Sequence, residues 1–227
     1  SFLVSGGDFA IDQAVSTGDT FRVQTTTANA AITVSNAITL ADGASLGLLA
    51  SGALRFNAPV TANGAVSVNL AYDPSALANL DFAAGRALTY TDAAGRATAT
   101  DAGGRLTING QGYTLLYSMA DLDGIDGIAA SANGINPQAA GTTGFYALAN
   151  DLNAAGTPYA DALVSKSLGV IEGLNHSITG LTIAKSGRYA GLVGQNMGTL
   201  RDLALVGGSV SGDSDVGALA GGNFSGR

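Results

Sequence analysis

The 227-residue chain contains no cysteine and no tryptophan. The first absence removes disulfides, thiolate metal sites and cysteine nucleophiles together. The second, with aromatic residues at only 6%, removes the stacking platforms that line many sugar-binding grooves. Charge is scarce as well: 12% of residues are charged, Glu172 is the single glutamate, and Lys166 and Lys185 are the only lysines. Long charged side chains are what solubilise amphipathic helices, so their near absence points to a β class. The net charge of −7, with no cluster of Arg or Lys, excludes a surface that tracks phosphates and with it nucleic acid. No apolar run is long enough for a membrane-spanning helix. The opening SFLVSGGDFAID has neither a basic leader region nor an initiating Met, so a mature piece or a fragment is expected.

What is present is small and apolar. Hydrophobic residues make up 46% and glycines number 33, with Ala, Ser and Thr standing where Lys and Glu usually cover a surface. Apolar-x-apolar pairs, which put two side chains on one face of a strand, recur along the chain: Ile32/Val34, Leu54/Phe56, Val66/Val68, Leu88/Tyr90, Leu106/Ile108, Leu181/Ile183 and Leu203/Leu205. Ile32 to Leu54, Val66 to Leu88 and Leu181 to Leu203 span one and the same interval. Turn-forming stretches fill the gaps, as in ADGAS (41–45), TANGA (61–65) and DAGGR (101–105). Short strands with small-residue turns at a period of roughly 20 residues predict an all-β solenoid, each coil burying its neighbour's inner face.

The rhythm breaks between residues 113 and 144. In YTLLYSMADLDGI, Ser118 stands three positions before Asp121, and Met119, Leu122 and Ile125 fall at helical intervals. A short helix capped by Ser118 is predicted there, followed by a Gly-rich surface loop over 126–144. The expected organisation is therefore coils over 1–112, a helix-and-loop excursion over 113–144, and coils again over 145–227. Near the end the chain repeats itself: AGLVGQNMG (190–198) superposes on GALAGGNFS (217–225), matching Leu192 with Leu219, Gly194 with Gly221 and Asn196 with Asn223. The apolar positions are expected to face inward and the glycines and asparagines to form tight corners, often at positive φ. The second copy breaks off at Arg227, so a longer natural chain is expected.

The stretch GLVGQNMGTLRDLALVGGSVSG followed by VGALAGGNFSG resembles the GLUG repeat of large bacterial surface and secreted proteins. Upstream, GASLGLLASGALRFNAPVTANGAVSVNLAYD (43–73) is similar to filamentous-haemagglutinin-like exoproteins, which leave Gram-negative cells by two-partner secretion. The resemblance spans roughly positions 30 to 227. It implies a right-handed parallel β-helix and a non-enzymatic role as an adhesin or filament in cell-surface or biofilm contact, secreted or at the cell surface. Its implied partners are an outer-membrane two-partner-secretion transporter, a receptor or glycan on a host or neighbouring cell, and further copies stacked end to end. Secretion domains of this family carry an NPNGI-like motif, of which GINPQ (134–138) keeps only a part, so the secretion domain is expected elsewhere.

Few residues offer chemistry. Asp121, Asp123 and Asp126 in DLDGID have a spacing compatible with Ca²⁺, although the glycine and later glutamate of a complete calcium loop are missing and Asp121 is already the partner of Ser118. His176, the only histidine, lies between turn residues rather than in a nucleophile elbow or a zinc-binding helix. Parallel β-helices also house polysaccharide lyases and glycosidases, which require paired carboxylates. The alternative reading is such an enzyme, with Glu172 and His176 as its best pair. No cofactor is expected in either case.

Overall fold

The computed structural model describes residues 2–127 and 141–227, so most of the loop expected after the helix, including GINPQ, lies outside the described residues. The chain is a parallel β-solenoid, nearly all β, with one short α-helix and one 3-10 turn at Leu77–Asn79 among the described residues. It divides into two compact units, Ser1–Leu115 and Leu116–Arg227.

In the first unit each full turn of the solenoid contributes three short strands. One face stacks Phe2–Ser5, Thr20–Thr25, Ser45–Leu49, Ser67–Ala71 and Arg105–Ile108; a second stacks Phe9–Ile11, Ile32–Val34, Leu54–Phe56 and Leu80–Phe82; a third stacks Val15–Thr17, Ile38–Leu40, Val60–Asn63 and Leu88–Thr91. Alternation explains both the strands and their direction: Ile32, Val34, Ile38, Leu40, Leu54 and Phe56 are buried, while Arg55 between the last two is exposed. Each aliphatic side chain so enclosed contributes roughly 1.5–3 kcal/mol. Like residues stack on like from turn to turn, as where the Phe56 and Phe82 rings lie 4.6 Å apart at 12°.

The spacings need correction. Ile32 does sit opposite Leu54, but Leu88 lies beside Val60 rather than Val66, and Val68 lies beside Leu106. The interval from Val66 to Leu88 therefore joins different faces. The one from Leu181 to Leu203 does so too, because Leu203 pairs with His176 and Ile183 with Val210. Periodicity of apolar pairs reports that a coil turns, not which strand lies above which.

Parallel stacking is also interrupted. Asn109 and Gly110, at φ 50° and 79°, join Arg105–Ile108 to Gln111–Leu116 in an antiparallel hairpin with Ile108 opposite Gln111. Positive φ at both central residues marks a type I′ hairpin turn, which Asn-Gly supplies at least cost.

The second unit opens with the helix Met119–Gly124. Ser118 Oγ accepts the Asp121 N–H at 3.1 Å and Asp121 Oδ2 accepts the Ser118 N–H at 3.0 Å, a reciprocal cap. Leu122 is fully buried in the same core as Leu148 and Ile171, with Met119 and Ile125 packed against it. Ser118→Ala should cost about 1 kcal/mol, read as a lower denaturation midpoint at unchanged slope.

Its turns are longer and gain a fourth strand. The broadest face stacks Phe145–Leu148 with Leu152–Asn153, then Val170–Thr179, then Thr199–Val206. The others stack Pro158–Tyr159, Thr182–Ala184 and Ser209–Ser211; Arg188–Ala190 and Ser214–Val216; and Val164–Ser167, Val193–Asn196 and Ala220–Asn223. At the corner before the broad face, glycines form a column. Val170 N–H donates to Gly144 O at 3.0 Å, Thr199 N–H to Gly169 O at 2.9 Å, and Arg227 N–H to Gly198 O at 2.9 Å. A Cβ on Gly169 would overlap the Gly144 carbonyl, and one on Gly198 would overlap that of Gly169. These glycines serve close approach rather than positive φ.

Candidate functional site

A group of ionisable side chains, Asp151, Glu172, His176, Arg201 and Asp202, gathers where the broad face of the second unit bends. Between Glu172 and His176 the register to the next turn shifts, and Leu174 and Asn175 adopt φ of 51° and 67°. Asp202 answers them in the following turn at φ 52°, its carbonyl so close to Gly173 that no side chain fits there. Non-glycine residues in this region of backbone space store strain that the surroundings must hold.

The bend buries both Glu172 and His176. Glu172 Oε1 accepts the Leu174 N–H at 2.9 Å, and Oε2 touches Nε of Arg201, its register partner one turn on. The latter is a charge contact without the alignment of a hydrogen bond. Burial pushes the Glu172 carboxyl up to about 8; attraction to Arg201 opposes this, and repulsion from Asp202 adds to it. On the other side of the bend, His176 Nδ1 lies 3.3 Å from Asp151 Oδ1, which also accepts the Ser177 N–H at 2.8 Å. Partial burial raises the Asp151 pKa, but the Ser177 N–H and His176 outweigh it and hold the carboxyl below its usual value.

The arrangement ties successive turns together. Glu172 reaches Arg201, the exposed Asp151 reaches Ser177 and the buried His176, and a pair buried on both sides, Lys185 with Asp161, does the same elsewhere in the unit. Asp161 Oδ1 additionally accepts the Ala162 N–H at 2.7 Å. For glycoside cleavage a carboxyl must stand against the sugar with a second carboxylate facing it. The Glu172 carboxyl is instead enclosed, with its oxygens turned to Leu174 and Arg201. Sequence reasoning passed over Arg201, Asp161 and Lys185. The signal for Arg201 was present: setting VIEGL against TLRDL places the only glutamate opposite an arginine.

The three aspartates proposed for a cation face different partners. Asp121 Oδ2 accepts the Tyr117 and Ser118 N–H groups, Asp126 Oδ2 accepts both the N–H and the hydroxyl of Ser165 at 2.6 Å, and Asp123 bears on Tyr159, whose phenol is pushed up by burial and then by that charge. Among the described residues no three metal-ligating side chains stand together.

The terminal repeat is set in register by the structure: Val193 pairs with Ala220 and Asn196 with Asn223, which puts Leu192 beside Leu219 and Gly194 beside Gly221. The asparagines form a rung, Asn196 Nδ2 donating to Asn223 Oδ1 at 3.1 Å. Gly194, Gly221, Asn196 and Asn223 do not make positive-φ corners; all four lie in strands, and the left-handed positions nearby include Tyr189, Asp202, Gly207, Gly208 and Asp215. Gly221 is small because Tyr189 backbone presses on it. Beside the glycine column a shallow groove of about 310 Å³ crosses the turns, lined by Phe145, Leu168, Val170, Met197, Thr199 and Arg227.

No family model, curated protein or solved structure matches the chain.

Proposed function

We propose that the chain is a non-enzymatic structural segment of a large secreted bacterial surface adhesin or filament, its solenoid serving as spacer and scaffold. The observation that carries this reading is the use made of the best acid–base candidates. Glu172 and His176 are buried in the wall and engaged with neighbouring turns, Glu172 with Arg201 and His176 with the exposed Asp151, and the outward positions are short polar residues such as Thr39, Ser67 and Asn69. Export through an outer-membrane two-partner-secretion transporter, and contact with a receptor or glycan on another cell, belong to the same reading. Exposed Leu168 and Met197 beside the shallow groove are the natural contact patch.

The test is retention of purified protein on cells and on a glycan array, with Leu168→Asp and Met197→Asp as the paired variant. Retention of the parent protein and its loss in the variant is expected. Binding to no cell, glycan or copy of itself would remove the adhesive part of the reading. Release of sugar ends from polysaccharides, abolished by Glu172→Gln, would replace it with the enzymatic one.

A further inference from the structure

Two successive turns of the second unit meet through a lysine and a carboxylate withdrawn from water. Pro158 and Tyr159 lie beside Thr182 and Ile183, and carrying that register forward sets Asp161 against Lys185. Lys185 Nζ touches Asp161 Oδ1, and the two side chains are only 4% and 6% exposed. Core residues flank both along the chain: Leu163 and Val164 follow Asp161, and Leu181 and Ile183 precede Lys185. The backbone is held on each side. Lys185 N–H donates to Ser211 O at 3.0 Å, and Asp161 Oδ1 accepts the Ala162 N–H at 2.7 Å.

As an ion pair this contact is poorly served. An ammonium carries three donors, and among the described residues Asp161 is the one hydrogen-bond partner of Lys185 Nζ. Two charges taken out of water recover that cost only when further hydrogen bonds satisfy them. The neighbouring ties are of another chemistry. Glu172 and Asp151 face the guanidinium of Arg201 and the imidazole of His176, and Lys166 forms no ion pair among the described residues.

We propose that Lys185 and Asp161 condense into an amide, a covalent tie between the two turns. Nζ bonds to Asp161 Cγ, and the Cγ–Oδ2 bond breaks. Two ammonium protons leave with Oδ2 as water, and the third stays on the amide nitrogen. The two charges cancel, so the step consumes no oxidant, reductant or further reactant. As Nζ adds, negative charge builds on Oδ1, where the Ala162 N–H already stands to receive it. The fold holds amine against carboxyl for the life of the native state, which turns a rare encounter into an intramolecular step. The product replaces two charges with a neutral group of one donor and one acceptor, and the acceptor keeps its Ala162 partner. This inference rests on the Lys185–Asp161 contact alone and not on the adhesion reading.

Mass spectrometry of the purified chain, denatured before measurement, reads the bond directly. The expected mass is that of the sequence less one water. Trypsin should leave Lys185 uncut and yield residues 106–166 joined to 167–188, with fragment ions placing the link at Asp161 and Lys185. Asp161→Ala should have the full mass of its own sequence and be cut after Lys185. Should that variant fail to fold, the fragment ions of the parent still decide. Separate peptides 106–166 and 167–185 from the parent would overturn the proposal whatever the intact mass, because a succinimide at Asp42–Gly43 also sheds one water without joining two peptides. So would a joined peptide that survives Asp161→Ala, since Lys185 would then be bonded elsewhere.

Discussion

Gly198→Val should unfold the second unit under conditions where the parent is fully native, with a loss of about 3 kcal/mol or more. The Cβ of any side chain at this position falls on the carbonyl of Gly169, one turn earlier. That carbonyl cannot move aside at small cost, because it holds the Thr199 N–H that begins the broad ladder. Nor is the effect one of lost backbone freedom, since Gly198 lies outside the left-handed region. Gly7→Ala is the matched control. Gly7 also lacks positive φ but has nothing within contact distance of an added Cβ, so its change should be close to neutral. Urea denaturation followed by far-ultraviolet circular dichroism measures both. A Gly198→Val protein as stable as the Gly7→Ala protein would mean that the turns are not stacked as closely as described.

The second large effect is a dependence on pH. Glu172 has a pKa of about 8 in the folded chain against 4.5 for the free side chain, because burial outweighs its attraction to Arg201. Between those two values the native state holds a proton that the unfolded state has released. Raising pH therefore favours unfolding, and the stabilisation present below pH 4.5 is lost progressively up to about pH 8. The limiting slope for one proton is about 1.4 kcal/mol per pH unit. Glu172→Gln keeps the shape of the protonated carboxyl and removes the titrating group, so it should change stability little near pH 4.5, flatten this part of the profile and leave the variant about 3 kcal/mol more stable than the parent at pH 7. Glu172→Ala should cost about 2–4 kcal/mol at the acid end of the window, through the void and the polar partners it strands, and progressively less as pH rises and the parent loses its own stabilisation. Denaturation midpoints from pH 4.5 to about 8 decide the matter; a profile for Glu172→Gln that parallels the parent would assign the slope to another group.

How far these features could be read from the sequence depended on whether they were local. The capped helix was legible to the residue, because Ser118, Asp121 and the apolar Met119, Leu122 and Ile125 are within one another's reach. The register of the last two turns was legible because the repeat carries its own alignment through Leu192, Asn196, Leu219 and Asn223. In the first unit no such repeat exists. Apolar pairs from different faces look alike, and Val66 and Leu88 share a spacing without sharing a ladder. The hairpin at Asn109–Gly110 carried the strongest short-range turn signal available, yet a uniform parallel stack was expected through it. The buried ties were the hardest to see. Lys185 and Asp161 are 24 residues apart, and nothing near either one announces that burial will bring them together.

Every such tie, from the glycine column to the asparagine rung, links a residue to its counterpart about one circuit of the solenoid away. A gene that gained or lost one whole circuit would keep the backbone columns in register, as the glycine column shows, even where a tie made only once, such as Glu172 with Arg201, is lost. Losing half a circuit would set every column against the wrong neighbour at once. Inheritance in such a protein is therefore quantised: duplications and excisions of one full circuit in the second unit are mild events, and short internal deletions are severe ones.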